Sequence, residues 1–280
     1  MSKKQIREIK ANTAGRRQIS YVLNSDLAKT KPVKSLTKGF KRSVGRDKLG
    51  HVTTRHKGGG AKRKYRIIST LNQCGQGPFK VERFEYDPNR SARIAYILNA
   101  AGKGFYILAP LETKIDHKLQ SGEKTPVAPG NRLELGKIPT GVAVHSLELT
   151  PLGKAKIVRA AGTKATVMAH EGGMTLVKLP SGEIRRFNST CQASVGAIGN
   201  ESHNAITIGK AGRVRHMGIR PTVRGKAMHP GAHPHGGGEG GSSIGMKSPK
   251  TPWGKKALGK KTRLRRDVGN FIVSRSKKRK

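Results

Sequence analysis

Fifty-seven lysines and arginines against sixteen aspartates and glutamates leave this 280-residue chain with a formal charge of +41 at pH 7. Self-repulsion at that level opposes a compact free state, so the sequence predicts a polyanionic partner. The excess is unevenly placed. Residues 1–66 carry +17, residues 205–280 carry +18, and the stretch between them carries only +6. Large apolar residues run the other way and are richer in the middle. Leu, Ile, Val and Phe number 58 of 280, about 21%, at the border below which highly charged chains stay disordered. This composition argues against one well-buried globule and for a globular middle with a cationic arm at each end. Such arms cannot offset their ordering entropy by apolar burial alone. Their glycine clusters, prolines and isolated aromatics (Phe40, Trp253, Phe271) mark chain that orders on binding.

Several classes are excluded early. No apolar run approaches the 18 residues a membrane span requires. The opening Met1-Ser2-Lys3-Lys4-Gln5-Ile6 lacks the apolar stretch of a secretory signal. The two cysteines, Cys74 and Cys191, are far apart and form no CxxC. They read as small, reduced apolar residues rather than a disulfide framework or a zinc ribbon.

The middle reads as β. Candidate strands at Lys64–Leu71, Phe79–Tyr86, Ala92–Asn99 and Phe105–Ala109 are separated by turn signals such as Asp87-Pro88-Asn89-Arg90. A Pro/Gly-rich stretch, Ser121 to Gly130, is the best internal boundary. A second set follows at Val142–Thr150, Ala155–Ala161, Lys164–His170, Met174–Leu179 and Glu183–Phe187. Ala165/Val167/Ala169 and Thr175/Val177/Leu179 alternate with period two. Two blocks of about 60 residues, with strands every 8–12, predict two small barrels in tandem.

Two clusters carry the candidate chemistry. In the first, Thr53-Thr54-Arg55-His56-Lys57-Gly58-Gly59-Gly60-Ala61-Lys62-Arg63, three glycines sit between cations. Glycine lets backbone N–H groups approach a phosphate, and the flanking Arg and Lys release counterions on binding. The alternative is a flexible basic linker. The second cluster runs from His229 through His233-Pro234-His235-Gly236-Gly237-Gly238-Glu239 to Ser243. Three histidines in seven residues raise metal binding or acid–base chemistry. The distant cysteines, the single nearby acid and the glycine-rich frame argue instead for a loop threaded against RNA, its histidines bonding or stacking. Gly236-x-Gly238-x-x-Gly241 matches a dinucleotide pattern without a credible strand or helix around it. Gly254 to Lys261 nearly matches a P-loop, but Lys261 stands where a hydroxyl should reach magnesium. With only 4% aromatic residues, the chain fits shape and phosphate recognition of folded RNA better than base stacking along a single strand.

At these residues the chain resembles the large-subunit ribosomal protein L2 family, bacterial type. The resemblance is carried by Thr53-Thr54-Arg55-His56-x-Gly58-Gly59-Gly60, Glu85-Tyr86-Asp87-Pro88-Asn89-Arg90-Ser91-Ala92, Arg159-Ala160-Ala161-Gly162-Thr163, and the run from Arg220-Pro221 through His233-Pro234-His235-Gly236-Gly237-Gly238 to Trp253-Gly254. It implies a mostly β fold: a basic N-terminal extension (1–60), an OB-like RNA-binding barrel (61–120), a linker (121–130), an SH3-like barrel (131–197) and an extended basic glycine-rich C-terminal segment (198–280). It also implies a structural constituent of the large ribosomal subunit. The implied partners are large-subunit rRNA, neighbouring ribosomal proteins, the small subunit at the interface, and tRNA indirectly. No membrane is implied, and no cofactor beyond magnesium carried by the RNA. The family's RNA-binding arginines fall on Arg90 and Arg159, and its histidine near the peptidyl-transferase centre on His233.

The chain departs from the family pattern at Ala232, where an acidic or amide residue usually precedes that histidine, and at His216 and His229. Without a neighbouring carboxylate, His233 lacks the orienting partner of a general base, and no catalytic residue is expected. The expected RNA contacts are Arg55, His56, Lys57, Arg63, Arg90, Arg159, Arg220, Arg224, Lys226, His233, His235 and Trp253, with Gly58, Gly59, Gly60, Gly236, Gly237 and Gly238 admitting close backbone approach. The expected location is a cytoplasmic, bacterial-type ribosome, with an organelle left open. The competing classes are a free RNA chaperone or non-specific nucleic-acid binder, against which discrete barrels argue, and a metal-dependent hydrolase, which would hold stoichiometric metal.

Overall fold

The structure is a computed structural model that describes residues 6–39, 42–75, 77–259 and 270–275. These group into two compact units. One contains residues 62–210 with the outer parts of both termini, and the other contains 42–61 with the segment from 211 onward. Phe40, Lys260 and Lys261 lie outside the described residues.

The first unit is mostly β. Near its N-terminus β1 (Ile6–Glu8) pairs with β2 (Ser20–Val22), and β3 (Thr37–Gly39) pairs with β4 (Lys64–Arg66). A four-stranded antiparallel sheet follows from β5 (Phe79–Glu85), β6 (Ile94–Leu98), β7 (Gly104–Leu108) and β8 (Lys118–Leu119), in the order β7-β6-β5-β8. The next strands are β9 (Arg132–Glu134), β10 (Ala143–His145), β11 (Leu147–Glu148), β12 (Ala155–Ile157), β13 (Ala165–Glu171), β14 (Met174–Lys178), β15 (Ile184–Asn188), β16 (Gln192–Val195) and, from the far C-terminus, β17 (Ile272–Ser274). Seven of them form one sheet, β17-β15-β14-β13-β10-β16-β9, while β11 and β12 pair separately. This curled, mostly β architecture is the one expected of an OB-like barrel followed by an SH3-like barrel.

Alternation decides the cores. Ala165, Val167, Val177 and Phe187 point inward with Leu133, Leu135, Val144, Leu147 and Val195 to form the second barrel's interior. In the first sheet both faces are covered. Ala95, Ile97 and Ile107 pack with Phe79, Val81 and Leu119 on one side. Ile94, Tyr106 and Leu108 pack with Ile198, Val33, Leu36 and Ile68 on the other. Covering both faces explains why β6 reads as a nearly continuous apolar run. Cys74 and Cys191 sit in different cores, both as free thiols. Burial pushes them up to about 12 and about 11 respectively.

The inner ends of the termini are docked onto this unit rather than free. Val33 donates its N–H to the Tyr106 hydroxyl at 3.0 Å, and that hydroxyl donates to Glu85 Oε2 at 2.8 Å. Ser20 and Thr207 bond each other twice, joining the N-terminal segment to the C-terminal one. Such edge pairing satisfies backbone groups without needing an apolar alternation, so the sequence pattern did not announce β1, β2, β3 or β17.

Several expected strands are shorter than their residue patterns suggest. Val142–Thr150 is split between β10 and β11 at Ser146 (φ 50°), whose N–H is bonded to the Val158 carbonyl at 2.9 Å. Ala155–Ala161 stops at Ile157 because Val158 takes φ 54°, a left-handed conformation that ends a strand. Lys64–Leu71 is a strand only to Arg66 and ends in a capped 3-10 turn at Leu71–Gln73. The strands β8, β9 and β16 were not expected.

One buried polar pair ties the barrels together. Arg132 and Glu148 are fully buried and paired at 2.7 Å. Arg132 also donates to the Ser146 carbonyl at 3.0 Å, and Glu148 accepts from the Gln192 N–H at 3.1 Å. Asn72, from the first barrel, donates to the same carboxylate at 3.3 Å. Burial pulls Arg132 below its ordinary value, and Glu148 opposes that shift. Nearby, burial drives His145 down to about 4, so it is neutral at pH 7. Removing one partner leaves an uncompensated buried charge, so Glu148→Ala is expected to cost roughly 3–5 kcal/mol. Arg132→Met combined with Glu148→Leu should recover much of that loss. Urea titration followed by circular dichroism measures both.

Candidate nucleic-acid interface

The second unit is built without an apolar core. Its described residues, 42–61 and 211–259, contain fourteen Lys and Arg but only two acids, Asp47 and Glu239. Among them no hydrophobic side chain is buried, and the single buried residue is His233. What fixes the backbone is close approach of chain to chain. A short helix, α1 (Ala211–His216), is followed by a turn at Met217 and Gly218. Gly58 donates to the Gly218 carbonyl at 3.0 Å, Ala61 donates to His216 at 3.0 Å, and Arg220 donates to His56 at 3.1 Å. Gly60 has φ 90°, and a Cβ there would lie 2.8 Å from the Gly218 backbone. No other residue fits that crossing. Arg42, which the sequence reading missed, clamps the same turn through the carbonyls of Gly60 and Ala61, at 3.2 and 2.6 Å. Part of the first glycine cluster therefore serves the crossing itself, since the Gly58 N–H is already used.

The histidines act as bonding groups for the backbone. His56 Nδ1 donates to the Pro221 carbonyl at 2.8 Å. His233 Nδ1 accepts the His235 N–H at 3.0 Å, and His235 Nε2 accepts the Lys250 N–H at 2.8 Å. His229 Nδ1 accepts the Gly231 N–H at 3.2 Å. These amide donors require neutral rings at 229, 233 and 235. The His233 and His235 rings lie 4.7 Å apart, and the His233 ring seats on Gly225, where a Cβ would fall 2.6 Å from it. Removal from water, then the His235 ring and the Arg55 charge, hold His233 below the usual histidine value. With Nδ1 accepting, the neutral ring carries its proton on Nε2. It can donate there but has no free lone pair for a general base. The ring nitrogens bound to amides are likewise engaged and not available to a metal.

Cations surround this loop. Arg55 lies over the exposed Trp253 ring, 5.7 Å from its centroid. Lys226 bonds the carbonyls of Gly241 and Ser242 at 3.4 and 3.3 Å, closing the glycine-rich turn. Gly236 lies where a Cβ would meet the His229 carbonyl oxygen at 2.4 Å, Gly237 donates to the Met228 carbonyl at 3.1 Å, and Gly238 crosses Ser242 closely. Lys57 and Arg224 are exposed and Arg220 is on the same face of the chain as Gly58. Among the described residues, no strand directly precedes the Gly236 pattern and no helix directly follows it.

The first unit holds a separate basic site. Arg90 is anchored by the buried carboxylate of Asp87 at 2.9 Å and lies over Tyr65, 5.5 Å from the ring centroid. Arg159, from the second barrel, donates to the Ala155 carbonyl at 3.1 Å, while its Nε is buried without a protein partner. Burial, then the charge of Arg90, pull its guanidinium below the ordinary value. Arg63 stands half-buried beside β4. Of the expected contacts, the structure thus groups Arg55, His56, Lys57, Gly58–Gly60, Arg220, Arg224, Lys226, His233, His235, Gly236–Gly238 and Trp253 in one unit, and Arg63, Arg90 and Arg159 in the other. Arg42 and Lys250 carry no motif; their partners lie about 20 and 15 residues away, a separation that only folding reveals.

Comparison with known families gives two matches. Residues 33–121 match the family described as Ribosomal Proteins L2, RNA binding N-terminal domain. Residues 128–254 match Ribosomal Proteins L2, C-terminal domain. Together they cover most of the chain and include both glycine clusters.

The neutral-ring geometry sets a pH dependence. A depressed histidine value means that the stability of the clasp is present above about 6.5 and is lost as pH falls from there through the lower folded value. Where the loop is ordered, ring-proton NMR should place the His233 midpoint below that of a free histidine. Gly225→Ala, which displaces the ring, should return the midpoint toward the free value.

Proposed function

The chain belongs to the ribosomal protein L2 family, and on that premise we propose that it binds large-subunit rRNA as a structural constituent of the large subunit, its barrels docked on RNA helices and its terminal segments neutralising phosphates. Family membership makes it a structural, RNA-binding protein of the ribosome. The finer reading adds early subunit assembly, contact with neighbouring ribosomal proteins and the small subunit, tRNA binding and support of the peptidyl-transferase region. It places the protein in a cytoplasmic ribosome of bacterial type, with magnesium entering only through the RNA and no chemical step of its own.

The observation that carries this reading is the pair Arg90 and Arg159. Two guanidiniums from two barrels sit close enough for one to depress the other, and the Asp87 carboxylate is ion-paired with Arg90. Such a pair raises the free energy of the protein by itself and favours a phosphate between or beside the two charges. The aromatic ring of Tyr65 gives Arg90 a fixed plane for that contact.

Sedimentation through a low-salt sucrose gradient tests the assignment: the chain should travel with the large subunit, and protein remaining at the top refutes it. Arg159→Ala should weaken rRNA binding and lower the salt slope of log K by about 1. A free, non-specific binder would instead show equal affinity and slope for any RNA or DNA. His233 is assigned a positional role, supported by its accepting Nδ1. His233→Asn, whose amide oxygen can take the His235 N–H, should preserve subunit assembly better than His233→Ala. Completed subunits of either variant should form peptide bonds at nearly the normal rate, and a fall by orders of magnitude would contradict the role.

A further inference from the structure

The second unit joins two stretches of chain about 150 residues apart, 42–61 and 211–259. Their shared backbone is sterically specified. Gly60 crosses Gly218 so closely that a Cβ would fall 2.8 Å from its backbone, and bonds from Gly58 to Gly218, Ala61 to His216 and Arg220 to His56 stitch the two strands of chain. Arg42 clamps the crossing, and Arg55 lies over Trp253. Yet fourteen cations face two acids, and no apolar side chain is buried among these residues. The geometry is selected by glycine contacts and hydrogen bonds, but net charge opposes it and no core stabilises it.

We propose that residues 42–61 are a positioning brace for the histidine–glycine loop at 225–240, and that the two segments order together, as one cooperative piece, when folded RNA supplies the counter-charge. The brace acts on the loop through Gly60–Gly218 and through Arg55, which lies over Trp253. The charged and titratable groups around that loop are Arg55, His235, His229, Lys226, Glu239 and Lys250. RNA phosphates neutralise the cations, and the two segments then share one ordering transition in place of two independent ones. The inference rests on the rRNA-binding reading, which it extends to a division of labour between the termini: one segment presents the loop that the other holds in place.

Hydrogen exchange of the full chain, with and without large-subunit RNA, tests the coupling. Amides of 42–61 and of 225–240 should gain protection together on RNA addition, and the barrels should be protected in both states. Gly60→Val breaks the crossing from the N-terminal side. It should accelerate exchange by about tenfold or more at 225–240, which it does not touch, with barrel protection unchanged. Gly218→Val acts from the C-terminal side, through strain at its φ of 93° rather than by a clash, and should loosen 42–61. Undisturbed protection of 225–240 in Gly60→Val, or of 42–61 in Gly218→Val, overturns the proposal, as does equal protection of both segments without RNA. Failure of the wild-type chain to bind large-subunit RNA at all would instead show the functional reading itself to be wrong, and the brace with it.

Discussion

Repulsion among cations that have no apolar core beneath them is the constraint around which this molecule is arranged. In the barrels that problem hardly arises, because buried aliphatic side chains hold the sheets and the charge excess is small. In the second unit it is acute. The chain there solves conformation and stability separately: glycines and backbone hydrogen bonds choose one path, and stabilisation is left to a partner of opposite charge. Phosphate is suited to that task because each contact releases counterions and relieves the repulsion together.

The same division explains how histidines are used. A protonated imidazole would add to an already excessive charge, whereas a neutral one adds an acceptor. His229, His233 and His235 all accept backbone N–H groups in a loop too rich in glycine to form a helix or sheet ladder. Removal from water first, then the neighbouring His235 and the Arg55 charge, disfavour protonation of His233. The loop is thus a backbone scaffold with histidine side chains as its internal ligands, and a catalytic reading of His233 conflicts with the lone pair it has already committed.

The barrels show the opposite economy. Arg132 and Glu148 are buried together, and Asn72 reaches their carboxylate from the neighbouring barrel. A buried ion pair adds little net stability, but a mismatch of the two barrels would strand a charge in the interior. This pair therefore fixes register where apolar packing alone would tolerate sliding. Arg90 and Arg159 occupy the outside of the same assembly, each held by its own barrel.

Much of this was legible along the chain. The division of charge located the ends that need a polyanion, and period-two alternation located β13, β14 and their core-facing side. Residue motifs around Gly58 and Gly236 marked the two glycine-rich loops of the second unit, and Arg90 and Arg159 followed from the family resemblance. Short or edge strands such as β1, β8 and β17 were not legible, because their hydrogen bonds satisfy backbone groups whatever the side chains are. Breaks at Ser146 and Val158 were hidden for the converse reason: neither residue type favours positive φ, and only the surrounding fold imposes it. A β middle, cationic ends and an anionic partner follow from composition and local period. Folding is what brings parts of the two ends together, requires glycine at Gly60 because Gly218 crosses it, and makes His233 an acceptor. Those are contacts between residues far apart in sequence, and no local pattern encodes which distant backbone will come within van der Waals reach.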